Sequence, residues 1–137
     1  MKFFLKSALL GTFFLASNSP ADNLANSKQI LCSIKNVNVC QPDGDCAAVL
    51  ASDFNVPQFI EIDTRTGKLS TTAASGENRE TEASQVSRAD GHLLIHGDQL
   101  GRAFSLLIEE SSGRASFASV GDGIAVTIFA ACTPRLD

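Results

Sequence analysis

The sequence predicts an all-β domain, an antiparallel meander of about eight or nine strands, in which a closed barrel is favoured over a two-sheet sandwich. Three observations lead there. From Ile30 onward, apolar residues recur at every second position, with no stripe at the helical period of about 3.6 residues. Short segments carrying Gly and Asp interrupt that alternation where hairpins would turn. Four cysteines lie in the same region, and the first and last of them sit in its first and last strands.

The N-terminus carries different information. Lys2 and Lys6 precede a nearly apolar run from Ser7 to Ala16, and Ser19-Pro20-Ala21 places small residues where a signal peptidase cuts. This is the layout of a cleavable export signal over residues 1–21, with Ala16 and Asn18 as other possible ends. The run falls short of the roughly 20 residues that span a bilayer as a helix. Cys32 lies too far beyond it for a lipid anchor. The expected location is therefore the periplasm or the exterior of a bacterium. Residues 22–29 form a polar N-terminal segment, and residues 30–134 form a single β domain.

Each strand is marked by its alternation. Ile30, Cys32 and Ile34 share one face, then Val37 and Val39 take over the apolar role. That change of phase predicts a bulge near Lys35-Asn36, bending a long first strand. Ile60 with Ile62, Leu93 with Ile95, and Phe104 with Leu106 and Ile108 mark three more, and Ile124, Val126 and Ile128 mark the last. Ala47–Leu50, Lys68–Thr72, Glu82–Arg88 and Arg114–Ala118 are shorter candidates, and Thr72–Glu80 is the longest loop. Asp63 to Lys68 and Glu109 to Arg114 share a pattern of acid, Gly and base, 46 positions apart from Ile62 to Ile108. A hairpin with Gly at its bulge requires these residue types; a duplication is the other reading. Ala89-Asp90-Gly91 and Gly121-Asp122-Gly123 supply further reversals. The expected barrel has the shape of a lipocalin or an avidin.

Removing the leader lowers the Lys plus Arg count from 11 to 9 against 15 acidic residues, so the charge goes from -4 to -6. It also removes Phe3, Phe4, Phe13 and Phe14 of nine phenylalanines. The remaining core is aliphatic and small, and a domain of this size needs further stabilisation. Disulfides supply it. Cys40-Gln41-Pro42-Asp43-Gly44-Asp45-Cys46 is a turn sequence closed at both ends, so Cys40 pairs with Cys46 and, by elimination, Cys32 with Cys132. Zinc knuckles space their cysteines more closely, and no C-x-x-C redox pair occurs.

Few residues in the sequence are arranged for chemistry. Glu61 and Asp63 point the same way from one strand, but Ile60 and Ile62 claim its buried face, leaving the carboxylates to solvent. His92 and His96 share the face opposite Leu93 and Ile95, about 13 Å apart and too far for one metal ion. Asp43-Gly44-Asp45 lacks the further carboxylates of a calcium loop, and there is no nucleophile elbow or phosphate loop. With few, scattered basic residues, nucleic-acid binding is not expected. The expectation is a non-enzyme with no catalytic residue, cofactor or metal and no stable membrane insertion after cleavage. A protein or a small ligand is the expected partner.

The cues Cys32, Cys40, Gly44-Asp45-Cys46, Pro57 to Asp63 and Phe129-Ala130-Ala131-Cys132-Thr133-Pro134 resemble small exported proteobacterial proteins of unknown function. That resemblance implies a disulfide-tied β domain and no activity. The chain is also similar in kind to periplasmic lysozyme inhibitors, small exported disulfide-bearing β-barrels, though it lacks the tyrosine of the c-type inhibitor loop. The expected function is a binding or interaction protein of the cell envelope. Inhibition of a cationic hydrolase such as lysozyme, or carriage of a small apolar ligand, are the alternatives.

Overall fold

Strand β1 (Gln29–Cys40) organises the molecule, because a 12-residue strand is long enough to serve different neighbours at its two ends. The computed structural model describes residues 23–135; the predicted leader lies outside them. Along its whole length β1 pairs with β10 (Ile124–Pro134), so the first and last strands are neighbours. On its other side, its first half pairs with β3 (Phe59–Asp63) and its second half with β2 (Cys46–Val49). The division falls at a register shift between Ile34 and Asn36, where Lys35 is the extra residue. This is the predicted bulge, and it lets Ile30, Cys32, Val37 and Val39 all face inward despite the change of phase.

The remaining strands are β4 (Lys68–Thr71), β5 (Glu80–Glu82), β6 (Gln85–Ala89), β7 (His92–Gln99), β8 (Arg102–Glu109) and β9 (Arg114–Gly121). Single 3-10 turns span Ala51–Phe54 and Ala73–Ser75. All ladders are antiparallel, and ten strands follow the order β5-β4-β3-β1-β10-β9-β8-β7-β6, with β2 attached to β1.

The sheet is strongly curled but open, and the expected closed barrel does not form. Its two edges, β5 and β6, are consecutive in the chain yet share no ladder. The segment expected as one strand, Glu82–Arg88, is two. At its middle the Ala83 N–H donates to the carbonyl of Gly67, just before β4 (2.8 Å), and the Ser84 N–H to that of His96 on β7 (2.8 Å). A chain that pairs leftward above this point and rightward below it cannot sustain one ladder across the seam.

The concave face is filled. Ile30, Ile62, Leu93, Ile95 and Ile108 are fully buried, and the Phe104 and Phe117 rings stack 5.8 Å apart. Each such aliphatic side chain contributes roughly 1.5–3 kcal/mol. A second cluster of Val37, Val39, Val126 and Ile128 occupies the upper half, where β1 ends. Between Cys32, Ile34, Ile60, Leu106, Phe117 and Ile128 a cavity of about 20 Å³ remains. It holds one water at most, not an apolar ligand.

The lower end is closed by the N-terminal segment. Leu24 is completely buried, although it belongs to the stretch expected to be polar. Its N–H donates to the Glu110 carbonyl (2.9 Å), and the Arg88 guanidinium reaches the carbonyls of Leu24 (3.1 Å), Ala25 (3.0 Å) and Ser27 (3.0 Å). Arg88 also pairs with Glu110, the one buried charged residue among those described.

Candidate functional site

Both predicted disulfides form, Cys32–Cys132 and Cys40–Cys46, and no free cysteine remains. They differ in setting. Cys32 and Cys132 are buried and directly opposed in the β1–β10 ladder, whereas Cys40–Cys46 joins the base of a hairpin whose second strand exposes Cys46, Ala47 and Ala48. Two such bonds belong to an oxidising, non-cytoplasmic compartment. No helix among the described residues is long and apolar enough to cross a membrane.

The carboxylates singled out from sequence are both engaged. Asp63 accepts from the Arg65 guanidinium (3.0 Å), the Gln29 amide (2.8 Å) and the Arg65 backbone N–H (2.9 Å). The Arg65 hydrogen bond, outweighing desolvation and helped by the backbone donors, lowers its pKa from 3.8 to about 2. Such a carboxyl stays ionised and does not carry a proton near neutrality. Glu61 pairs with Arg135. The related turn behaves alike: Glu109 accepts from Ser112 (2.7 Å) and Arg114 (2.7 Å), which hold its carboxyl below the usual range. Gly67 and Gly113 both adopt positive φ, 74° and 70°, and donate back to Asp63 and Glu109. The two hairpins thus share one turn structure.

The histidines face outward, as their strand position requires. His92 Nδ1 lies 2.9 Å from the Asp90 carbonyl, and His96 Nδ1 lies 2.9 Å from Ser105 Oγ across the β7–β8 ladder. The Ser105–His96 pair was not visible from spacing; only the cross-strand register, His96 opposite Ser105, creates it. No group of three metal-ligating side chains occurs among the described residues.

The concentration of unusual surface lies elsewhere, on the upper half. The β1–β2, β9–β10 and β7–β8 turns meet there: Pro42 sits against Gly123, and Arg102 pairs with Asp122 (2.9 Å). Beside β2, the 3-10 turn Ala51–Phe54 is tied to the β4–β5 loop by Arg79, which donates to the Asn55 carbonyl (2.7 Å). Six arginines among the described residues are ion-paired, five within the carboxylate pairs already named and Arg79 with Glu77 (2.5 Å). Asp43, Asp45, Asp53, Glu82, Asp90 and Asp98 have no ion-pair partner among the described residues. No Lys or Arg occurs between Lys35 and Arg65. Three of the six carboxylates, Asp43, Asp45 and Asp53, flank β2 with no cation in the surrounding sequence.

Apolar side chains stand out on the same half. Leu100 is 93% exposed, Leu50 69% and Val120 53%. Leu100 also holds φ at 50°, a conformation that costs a branched side chain roughly 1 kcal/mol or more. Nothing in the sequence alternation signals this; of the two-residue reversals Asp90-Gly91, Leu100-Gly101 and Asp122-Gly123, this one has an apolar first residue in place of Asp. A second feature is a shallow open groove of about 560 Å³ on the convex face, where Leu107 and Phe129 lie among Lys35, His92, Glu109 and Arg114.

Fold and surface together define a small disulfide-tied, all-β protein with a filled interior and an acidic, apolar-studded upper half. Comparison with known protein families, with curated proteins and with solved structures finds no match for this chain.

Proposed function

We propose that this chain is an exported, non-enzymatic binding protein of the bacterial envelope, periplasmic or secreted, that docks a basic protein through its upper half. A cationic hydrolase such as a lysozyme is the partner class that suits this surface. The observation that carries the reading is the coincidence of unpaired Asp43, Asp45, Asp53 and Asp98 with exposed Leu50, Leu100 and Val120. Charge of one sign steers an oppositely charged partner, while exposed apolar side chains supply the contact that outlasts the encounter. An interior cavity of about 20 Å³ gives the carrier alternative no support. The test is retention of the mature protein on immobilised lysozymes of several types at low salt, with lytic activity measured alongside. Binding that weakens with salt and is lost in an Asp43→Asn, Asp45→Asn, Asp53→Asn variant is expected. Absence of binding to every lysozyme would remove the hydrolase reading.

A further inference from the structure

The free edge of β2 carries an inference that rests on this acidic surface and deepens it. β2 pairs only with β1, through Val37–Val49, Asn38–Ala48, Val39–Ala47 and Cys40–Cys46. In an antiparallel ladder, hydrogen-bonded pairs alternate with pairs that exchange no bonds. The Gln41 N–H donates to the Asp45 carbonyl (2.8 Å), which makes that pair a bonded one and, by alternation, Val39–Ala47 and Val37–Val49 as well. Cys40–Cys46 and Asn38–Ala48 are then the unbonded pairs, and the Cα separation of 4.0 Å at Cys40–Cys46 suits the narrow kind. The N–H and C=O groups of Cys46 and Ala48 therefore point away from β1, toward the open side. Cys46, Ala47 and Ala48 are exposed. The sheet's other edges carry charge, Glu80 and Glu82 on β5 and Arg88 on β6, whereas β2 reads Cys-Ala-Ala-Val and has none of the usual blocking residues.

β2 has almost no buried side chain to hold it, so the Cys40–Cys46 disulfide fixes in place an exposed strand that packing does not secure. A preformed edge spares a partner the cost of ordering it.

We infer that β2 is a strand-addition site, which takes an extended, cationic segment of another protein as its outer neighbour. Backbone ladder bonds from Cys46 and Ala48 give the affinity. Asp43, Asp45 and Asp53, with no cation within residues 36–64, select lysine or arginine side chains along the added strand.

The probe is a short acetylated peptide of alternating lysine and valine, followed by amide chemical shifts and hydrogen exchange of the disulfide-intact protein. The expected result is shifts centred on residues 46–50, slowed exchange at the Ala48 amide, and binding that weakens with salt. N-methylating the peptide backbone on its pairing edge keeps its charge but removes ladder donors, and should weaken binding about tenfold for two lost bonds. Ala48→Pro, which removes the outward N–H, should weaken it similarly, whereas Ala48→Val should not. Binding that is indifferent to N-methylation, with shifts spread over the acidic turns, would overturn strand addition and leave the proposed function standing. No peptide binding while a lysozyme is still retained would do the same. A concentration-dependent dimer that protects Ala48 would assign the edge to a second copy and equally overturn the inference.

Discussion

Removing the Cys32–Cys132 bond should cost about twice as much stability as removing Cys40–Cys46, and the reason lies in what each bond encloses. The two bonds span sequence separations of 100 and 6. On the chain-entropy model, closing loops of these lengths restricts the unfolded chain by about 4.7 and about 2.2 kcal/mol. Burial widens the gap, because Cys32 and Cys132 lie within the main core cluster while Cys46 is exposed. Replacing Cys32 and Cys132 with Ala should therefore lose about 5 kcal/mol, much of the stability expected of a domain this size. The Cys40→Ser, Cys46→Ser variant should lose about 2 kcal/mol and keep its folded core. Urea unfolding followed by far-ultraviolet circular dichroism, with midpoint and slope fitted separately, reads both losses. Equal losses, or a larger one for the short loop, would refute the assignment of the long bond as the main clamp between the first and last strands.

Three further outcomes follow from the lower end and the turns. Leu24→Ala should destabilise by about 2–5 kcal/mol in the same assay, since Leu24 is fully buried; a loss below about 1 kcal/mol would mean the N-terminal segment is no part of the core. Arg88→Met leaves the buried Glu110 without its ion partner and should cost about 3–5 kcal/mol, part of which a second change, Glu110→Leu, should restore; additive losses in the double variant would refute the pairing. Asp63 titrates at about 2 when folded against 3.8 ordinarily, so its contribution is full above pH 3.8 and is lost as pH falls toward 2. Asp63→Asn should flatten the stability of the protein over that interval, and an unchanged acid dependence would contradict the Arg65 pairing.

Much of the architecture was legible because it depends on local rules. A change in alternation phase between Ile34 and Val37 has no solution but an extra residue, and the bulge stands at Lys35. Asp-Gly pairs accept the left-handed backbone of tight hairpins, and Asp90 and Asp122 both adopt it. A cysteine at each end of a Pro-Asp-Gly turn bridges. What escaped depends on relations between distant segments. Glu82–Arg88 alternates like one strand, and only its two different neighbours, reached through Gly67 and His96, divide it and leave the sheet open. Leu24 lies in a polar stretch without periodicity, so its burial is set by the open end of the sheet it fills. The acidic upper half was equally hidden, since a net charge does not say which carboxylates find partners. Among the described residues arginine pairing removes Asp63, Glu61 and Glu109 from the surplus, whereas Asp43, Asp45 and Asp53, which flank β2, have no ion pair, as is also true of Glu82, Asp90 and Asp98.

Engagement of a basic protein by this acidic half is read out by a salt-dependent binding isotherm against lysozymes of several types. Binding should saturate at low salt, fall as salt is raised and be abolished by neutralising Asp43, Asp45 and Asp53. Binding that persists in the neutralised variant, or that ignores salt, would contradict it.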